Sequence, residues 1–125
     1  MSKAFHDKKP IFLQIRDRIA DQIVNGQLQE HDQIPSTNQL VHFYKVNHIT
    51  VSKGITLLVD DGILYKKRGV GMFVEEGAKE TLMKQRKEAF AEEYLLPMMQ
   101  EAEKLQLSEE EINRLMKDLK GRDNR

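Results

Sequence analysis

Cysteine is absent from the 125 residues. That excludes disulfides, a thiol nucleophile and thiolate metal ligands. Long apolar runs are missing, and the opening MSKAFHDKK has no signal-peptide pattern. The expectation is a soluble, cytoplasmic chain with no membrane partner. Net charge is missing as well, with 20 basic residues against 20 acidic ones. Residues 1–77 hold 10 and 9 of these, and residues 78–125 hold 10 and 11. A neutral chain offers no general attraction to a polyanion, so any nucleic-acid contact must come from a local basic face. The four histidines, at 6, 31, 42 and 48, show no paired metal spacing. No Ser-His-Asp arrangement occurs, and Gly69-Val70-Gly71 is too short for a nucleotide loop. Neither a cofactor nor a metal is expected, and the chain reads as no enzyme.

Proline is scarce, and its three positions act as punctuation. Pro10 suits the first turn of a helix. From there Ile11, Ile15, Ile19, Ile23 and Val24 recur at helical spacing until Asn25-Gly26 stops the run. Residues 1–9 read as a frayed polar lead-in. Pro35 precedes Ser36, a good N-cap with Gln39 in the capping-box position. That predicts a short helix to about Tyr44, burying Leu40, Val41 and Phe43 or Tyr44. Lys45-Val46 reads as a turn and Asn47 as the next N-cap. The helix from His48 to about Asp61 buries Val51, Ile55 and Leu58, with Gly62 as its stop. Residues 63–67 and 72–74 alternate as two strands joined by Arg68-Gly69-Val70-Gly71, with a further small strand expected around Ile34.

This helix-turn-helix with a basic hairpin has the layout of a winged DNA reader. The start of the second helix would bring N–H groups and a positive dipole to phosphates while short side chains reach base edges. Candidate DNA-contacting residues are Ser36, Thr37, Asn38, Lys45, Asn47, His48, Ile49, Thr50, Ser52 and Lys53, with Lys67, Arg68 and Gly69 on the wing. A lone run such as Lys66-Lys67-Arg68 is more often a solvated tip. Flanking glycines and a preceding helix-turn-helix reverse that preference.

Pro97 falls inside a charged, Met-rich stretch from Lys79 to about Gln106 and should kink or break the helix. Ser108 and Glu111 form a capping box for a last helix through Leu119, with 121–125 as a loose tail. Leu82, Phe90, Tyr94, Leu95, Met98, Met99, Leu105, Ile112, Leu115 and Met116 supply more apolar surface than two helices can hide. They are assigned to a dimer interface. The methionines could instead line a ligand pocket.

From Pro10 to Leu119 the chain resembles the GntR family of bacterial transcription regulators. Its short C-terminal region is similar to the YtrA subfamily. PIFLQI, Asn25-Gly26, Pro35-Ser36 with Leu40, Val46-Asn47 with Thr50-Val51, Gly62-Ile63 and KKRGVGMFV carry the likeness through their joint order. The resemblance implies a homodimer on a double-stranded DNA operator with two half-sites. Pro35-Ser36 would steady the backbone, and Arg68-Gly69 would make the wing contact. Arginines common in the family are replaced at Asn38, His48 and Ser52, which predicts fewer guanine contacts and a different half-site.

The fold class expected is mainly α with a small β-hairpin. A winged helix-turn-helix over 10–76 is followed by a helical dimerisation region over 77–120. The function expected is a sequence-specific transcription regulator, a repressor, on a pseudo-palindromic operator. Two alternatives stand beside it: a protein-interaction module built on a winged helix, and a sensor whose C-terminal helices hold an unidentified small-molecule effector.

Overall fold

The structure is a computed structural model that describes residues 4–123. Contacts divide the chain into two compact units, up to Lys84 and from Gln85.

The first unit contains α1 (Ile11–Val24), α2 (Thr37–Tyr44), α3 (His48–Asp60), β1 (Leu64–Lys67), β2 (Gly71–Val74) and the start of α4 (Ala78–Phe90). Pro10 is the residue before α1, and its carbonyl accepts from Leu13 and Gln14. The buried stripe of α1 is Ile15, Ile19, Ala20 and Ile23, while Ile11 is exposed. Ser36 and Gln39 form the full capping box of α2, and Asn47 caps α3 through Thr50. Lys45, in the left-handed region at φ 55°, turns the chain between them. Val51, Ile55 and Leu58 of α3 join the α1 stripe in one core with Ile34, Leu40, Ile63, Leu64 and Val74. Tyr44, rather than Phe43, is the aromatic packed against it.

The two helices α1 and α3 meet at Gly54. A Cβ there would lie 2.7 Å from the Phe12 carbonyl oxygen, so only glycine fits without a shift. The β1–β2 hairpin is antiparallel, with Leu64 opposite Val74 and Lys67 opposite Gly71. The strand expected near Ile34 is reduced to a single bridge between Gln33 and Phe73. Even so, three backbone bonds tie this segment to β2: Ile34 N–H to Met72, His31 N–H to Val74, and Val74 N–H to Asp32.

The lead-in is docked rather than frayed over its described part. Gln14, the one buried polar side chain among the described residues, accepts from the His6 N–H and donates to the carbonyls of His6 and Lys9. Phe5 packs on Tyr44 at 5.4 Å between ring centroids, and the Arg18 guanidinium lies 4.1 Å over the Phe5 ring. Three satisfied hydrogen bonds explain how a glutamine occupies an otherwise apolar stripe. Met1–Lys3 lie outside the described residues.

The second unit holds the remainder of α4, a π-helical turn (Ala91–Leu95), α5 (Leu96–Lys104) and α6 (Glu109–Asp123). Pro97 neither ends the helical path nor stands as a simple break. The turn before it widens, and the Leu96 N–H reaches back to the Ala91 carbonyl. That register spreads the defect created by a proline without an N–H over one turn. Ser108 and Glu111 close the expected capping box. The last helix continues through Gly121 to Asp123, so the tail expected from 121 is helical there. Residues 124 and 125 lie outside the described residues.

Candidate nucleic-acid interface

Three exposed features rise from the first unit: the start of α2, the start of α3 and the hairpin tip. Each is shaped by local chemistry that leaves donors outward. The Ser36 Oγ accepts from the Gln39 N–H at 3.1 Å, which frees the hydroxyl proton. The Asn47 Oδ1 accepts from the Thr50 N–H at 2.8 Å, which leaves the amide NH2 as a donor. Both groups can therefore cap a helix and donate to an anion at once. Thr37 is half-buried and Asn38 exposed beside Ser36.

The first turn of α3 carries no acid, and its two aspartates, Asp60 and Asp61, stand at the other end. That is the reverse of what the helix dipole favours for stability. It leaves the positive end open to an external anion. His48, Ile49 and Lys53 are exposed there, Thr50 and Ser52 half-buried. Ile49 is 76% exposed, the highest value among the described large hydrophobics. The Lys53 ammonium sits 4.7 Å over the Phe12 ring, held by a cation–π contact rather than free in solvent.

The wing tip is a turn closed by the Val70 N–H on the Lys67 carbonyl, with Gly69 at φ 77° in its third position. A side chain there would be strained, and Arg68 is left on the outside. Gln33 braces the tip: its Nε2 donates to the Val70 carbonyl at 3.1 Å. A Cβ on Gly71 would lie 2.4 Å from that same nitrogen. On the outer face of the hairpin, Tyr65 stacks on Phe73 at 5.7 Å and meets His31, whose Nδ1 is 2.9 Å from the Tyr65 hydroxyl. The Lys67 ammonium lies 4.9 Å over the Phe73 ring.

The sequence reading missed four supports: Gln33, Phe12, Gly54 and the docked lead-in. A glycine inside a strong helical pattern was the one visible signal, since it costs stability unless close packing requires it. In the other group of candidates, Leu82 is corrected. It is only 5% exposed and belongs to the core of the first unit, where the opening turns of α4 pack. It has no surface to give a second subunit. Phe90, Tyr94, Leu95, Met98, Met99, Leu105, Leu115 and Met116 are exposed, and Ile112 is half-buried. Among the described residues, no three His, Asp or Glu side chains gather as a metal site, and no helix is long and apolar enough to cross a membrane.

The model of the gntR family of bacterial regulatory proteins matches residues 12–74, the span from α1 to the end of the hairpin. The chain belongs to the GntR family. The HTH-type transcriptional regulator YhcF of Bacillus subtilis (strain 168) is 30% identical over 112 residues, covering 90% of this chain and 91% of that protein. The probable fructoselysine utilization operon transcriptional repressor of Escherichia coli (strain K12) is 40% identical over 65 residues. That match covers 52% of this chain and only 27% of the longer relative. A GntR-family transcriptional regulator from Bacteroides thetaiotaomicron has a solved structure with TM-score 0.76 and 36% identity, covering 90% of this chain and 98% of that one. The AraR DNA-binding domain in complex with operator ORR3 matches 57% of this chain and 86% of its own, with TM-score 0.53 and 31% identity. The GntR winged-helix fold, with helices following it, is therefore the architecture of this chain.

Proposed function

We propose that this GntR protein is a homodimeric transcription repressor that binds a pseudo-palindromic operator. It acts in the cytoplasm and without enzymatic chemistry. The observation that carries the reading is the start of α3: a capped helix N-terminus with no acid, exposed Asn47, His48 and Ile49, and a braced basic wing on the same core. The AraR domain, which shares this fold, is held in complex with operator DNA. In the proposed complex α3 enters a major groove. Asn38, His48, Ile49 and Ser52 face base edges. Ser36, Thr37, Lys45, Asn47, Thr50 and Lys53 secure the flanking backbone, and Lys67, Arg68 and Gly69 bring the wing to the neighbouring phosphates.

The reader is assigned to residues 10–76 and the pairing region to 77–120. The exposed apolar residues after Lys84 favour a second copy as the cover of that region, and the resemblance described above favours the YtrA subfamily. Fluorescence anisotropy tests the proposal. DNA from upstream of the gene should bind more tightly than scrambled DNA, with affinity falling as salt rises. Arg68→Ala should reduce the salt slope by about one unit. No binding to either DNA, with salt-insensitive binding to a protein partner instead, would refute it and favour the docking-module alternative.

A further inference from the structure

Among the described residues of the first unit, the two most exposed large hydrophobic residues are Ile49 at 76% and Val70 at 61%. One stands on the first turn of α3 and the other on the wing tip. Ile49 is flanked by groups already committed inward. Asn47 is bonded to the Thr50 N–H, and Val51 is fully buried in the core. The helix geometry thus turns Ile49 outward with nothing of its own unit upon it. Isoleucine also gains little as a helix former at such a place, being β-branched. A branched aliphatic side chain so placed has one complementary feature in a major groove, the C5-methyl of thymine.

We infer that Ile49 is a specificity-determining residue that reads a thymine in each half-site through its methyl group. This rests on the operator-binding proposal and deepens it. The contact is purely apolar, so it distinguishes thymine from the other bases without a hydrogen bond. It compensates in part for the guanidinium forks that are absent from the base-facing set of Asn38, His48, Ile49 and Ser52. The neighbouring Ser52 hydroxyl is half-buried and short, so it does not shield the isoleucine.

The test is a cycle between one methyl on the DNA and the side chain on the protein. A duplex enriched by the protein from a random pool is resynthesised with each thymine replaced, one at a time, by deoxyuridine. That change removes the methyl and keeps every base-pair hydrogen bond. For the unaltered protein, one thymine per half-site should show roughly threefold to fivefold weaker binding after replacement, the size expected for one buried methyl. With Ile49→Ala, the same replacement should have no effect, and with Ile49→Val part of the effect should return. Val70→Ala should leave the thymine effect intact. Ile49 contributes no core packing, so these variants should melt like the parent. If no thymine is sensitive, or if the sensitive one stays sensitive with Ile49→Ala, the inference is overturned while operator binding stands. If no sequence is enriched at all, the operator-binding proposal itself falls, and this inference with it.

Discussion

Helices α3 and α6 are of similar length, yet they are written to opposite rules. The first turn of α6 holds Glu109, Glu110 and Glu111, and its last turn Lys120 and Arg122, the order that stabilises a helix dipole. In α3 the first turn has no acid and the acids sit at the end. Burial is opposite as well. Val51, Gly54, Ile55 and Leu58 of α3 are buried, and α6 has no buried residue. Helix α3 derives its stability from the core and leaves its positive end unused. Helix α6 satisfies its own ends and leaves its apolar side chains uncovered. The contrast extends to the two units. Up to Lys84 the apolar residues close on one another, whereas beyond it Ala102 is the buried hydrophobic among the described residues. A helix held from behind can spend its exposed end on a ligand, and a helix with an uncovered face needs a partner to bury it.

The largest expected effect breaks the core side of the comparison. Leu58→Ala empties a site that is 1% exposed and should cost about 2–5 kcal/mol in a urea titration of the first unit. The equivalent truncation of Met99, which is 61% exposed, should cost far less when measured at a concentration where the chain is monomeric. Next comes the close approach of α1 and α3. Gly54→Ala forces a methyl against the Phe12 carbonyl and should cost on the order of 1–3 kcal/mol. Tyr94→Glu with Met99→Glu sharpens the other side. Sedimentation should change from dimer to monomer while the first unit's urea midpoint stays in place. A persistent dimer would remove those residues from the proposed interface.

The smallest change in stability carries the most distinctive sign. His48→Glu places an acid on the first turn of α3, where the dipole favours it by about 0.3–1 kcal/mol. The melting temperature should rise slightly while affinity for operator DNA falls by more than tenfold, because the proposed complex brings the new carboxylate into a groove walled by phosphates. A variant that gains stability and keeps its affinity would show that this end of α3 does not meet DNA.

These contrasts were only partly legible in the sequence. Both capping boxes and the Asn47 cap are local, set by residues three apart, and could be read directly. The stripe of Val51, Ile55 and Leu58 follows from periodicity. The other features depend on what crosses what. Gly54 is explained only once α1 lies against α3. Gln14 interrupts the apolar series with no local reason to be buried until the backbone of His6 and Lys9 folds over it. Leu82 belongs to the same apolar series as Phe90 and Tyr94, and nothing local separates a core position from an exposed one. Pro97 announces a lost hydrogen bond, but not that the helix answers it with a widened turn over Ala91–Leu95. Gln33 is a polar residue two positions before Pro35, and its hold on Val70 requires the hairpin to return beside it.

The most direct test of the account is the helical phasing of the operator. If two readers on α3 are held together by the C-terminal helices, their half-sites lie about 10 bp apart, centre to centre, or a small multiple of that. Anisotropy titrations should be run on the selected operator and on a version with about half a helical turn, roughly 5 bp, inserted between half-sites. The account predicts two chains bound per intact duplex and at least tenfold weaker binding to the inserted one. Equal affinity for both, with one chain bound independently at each half-site, would contradict it.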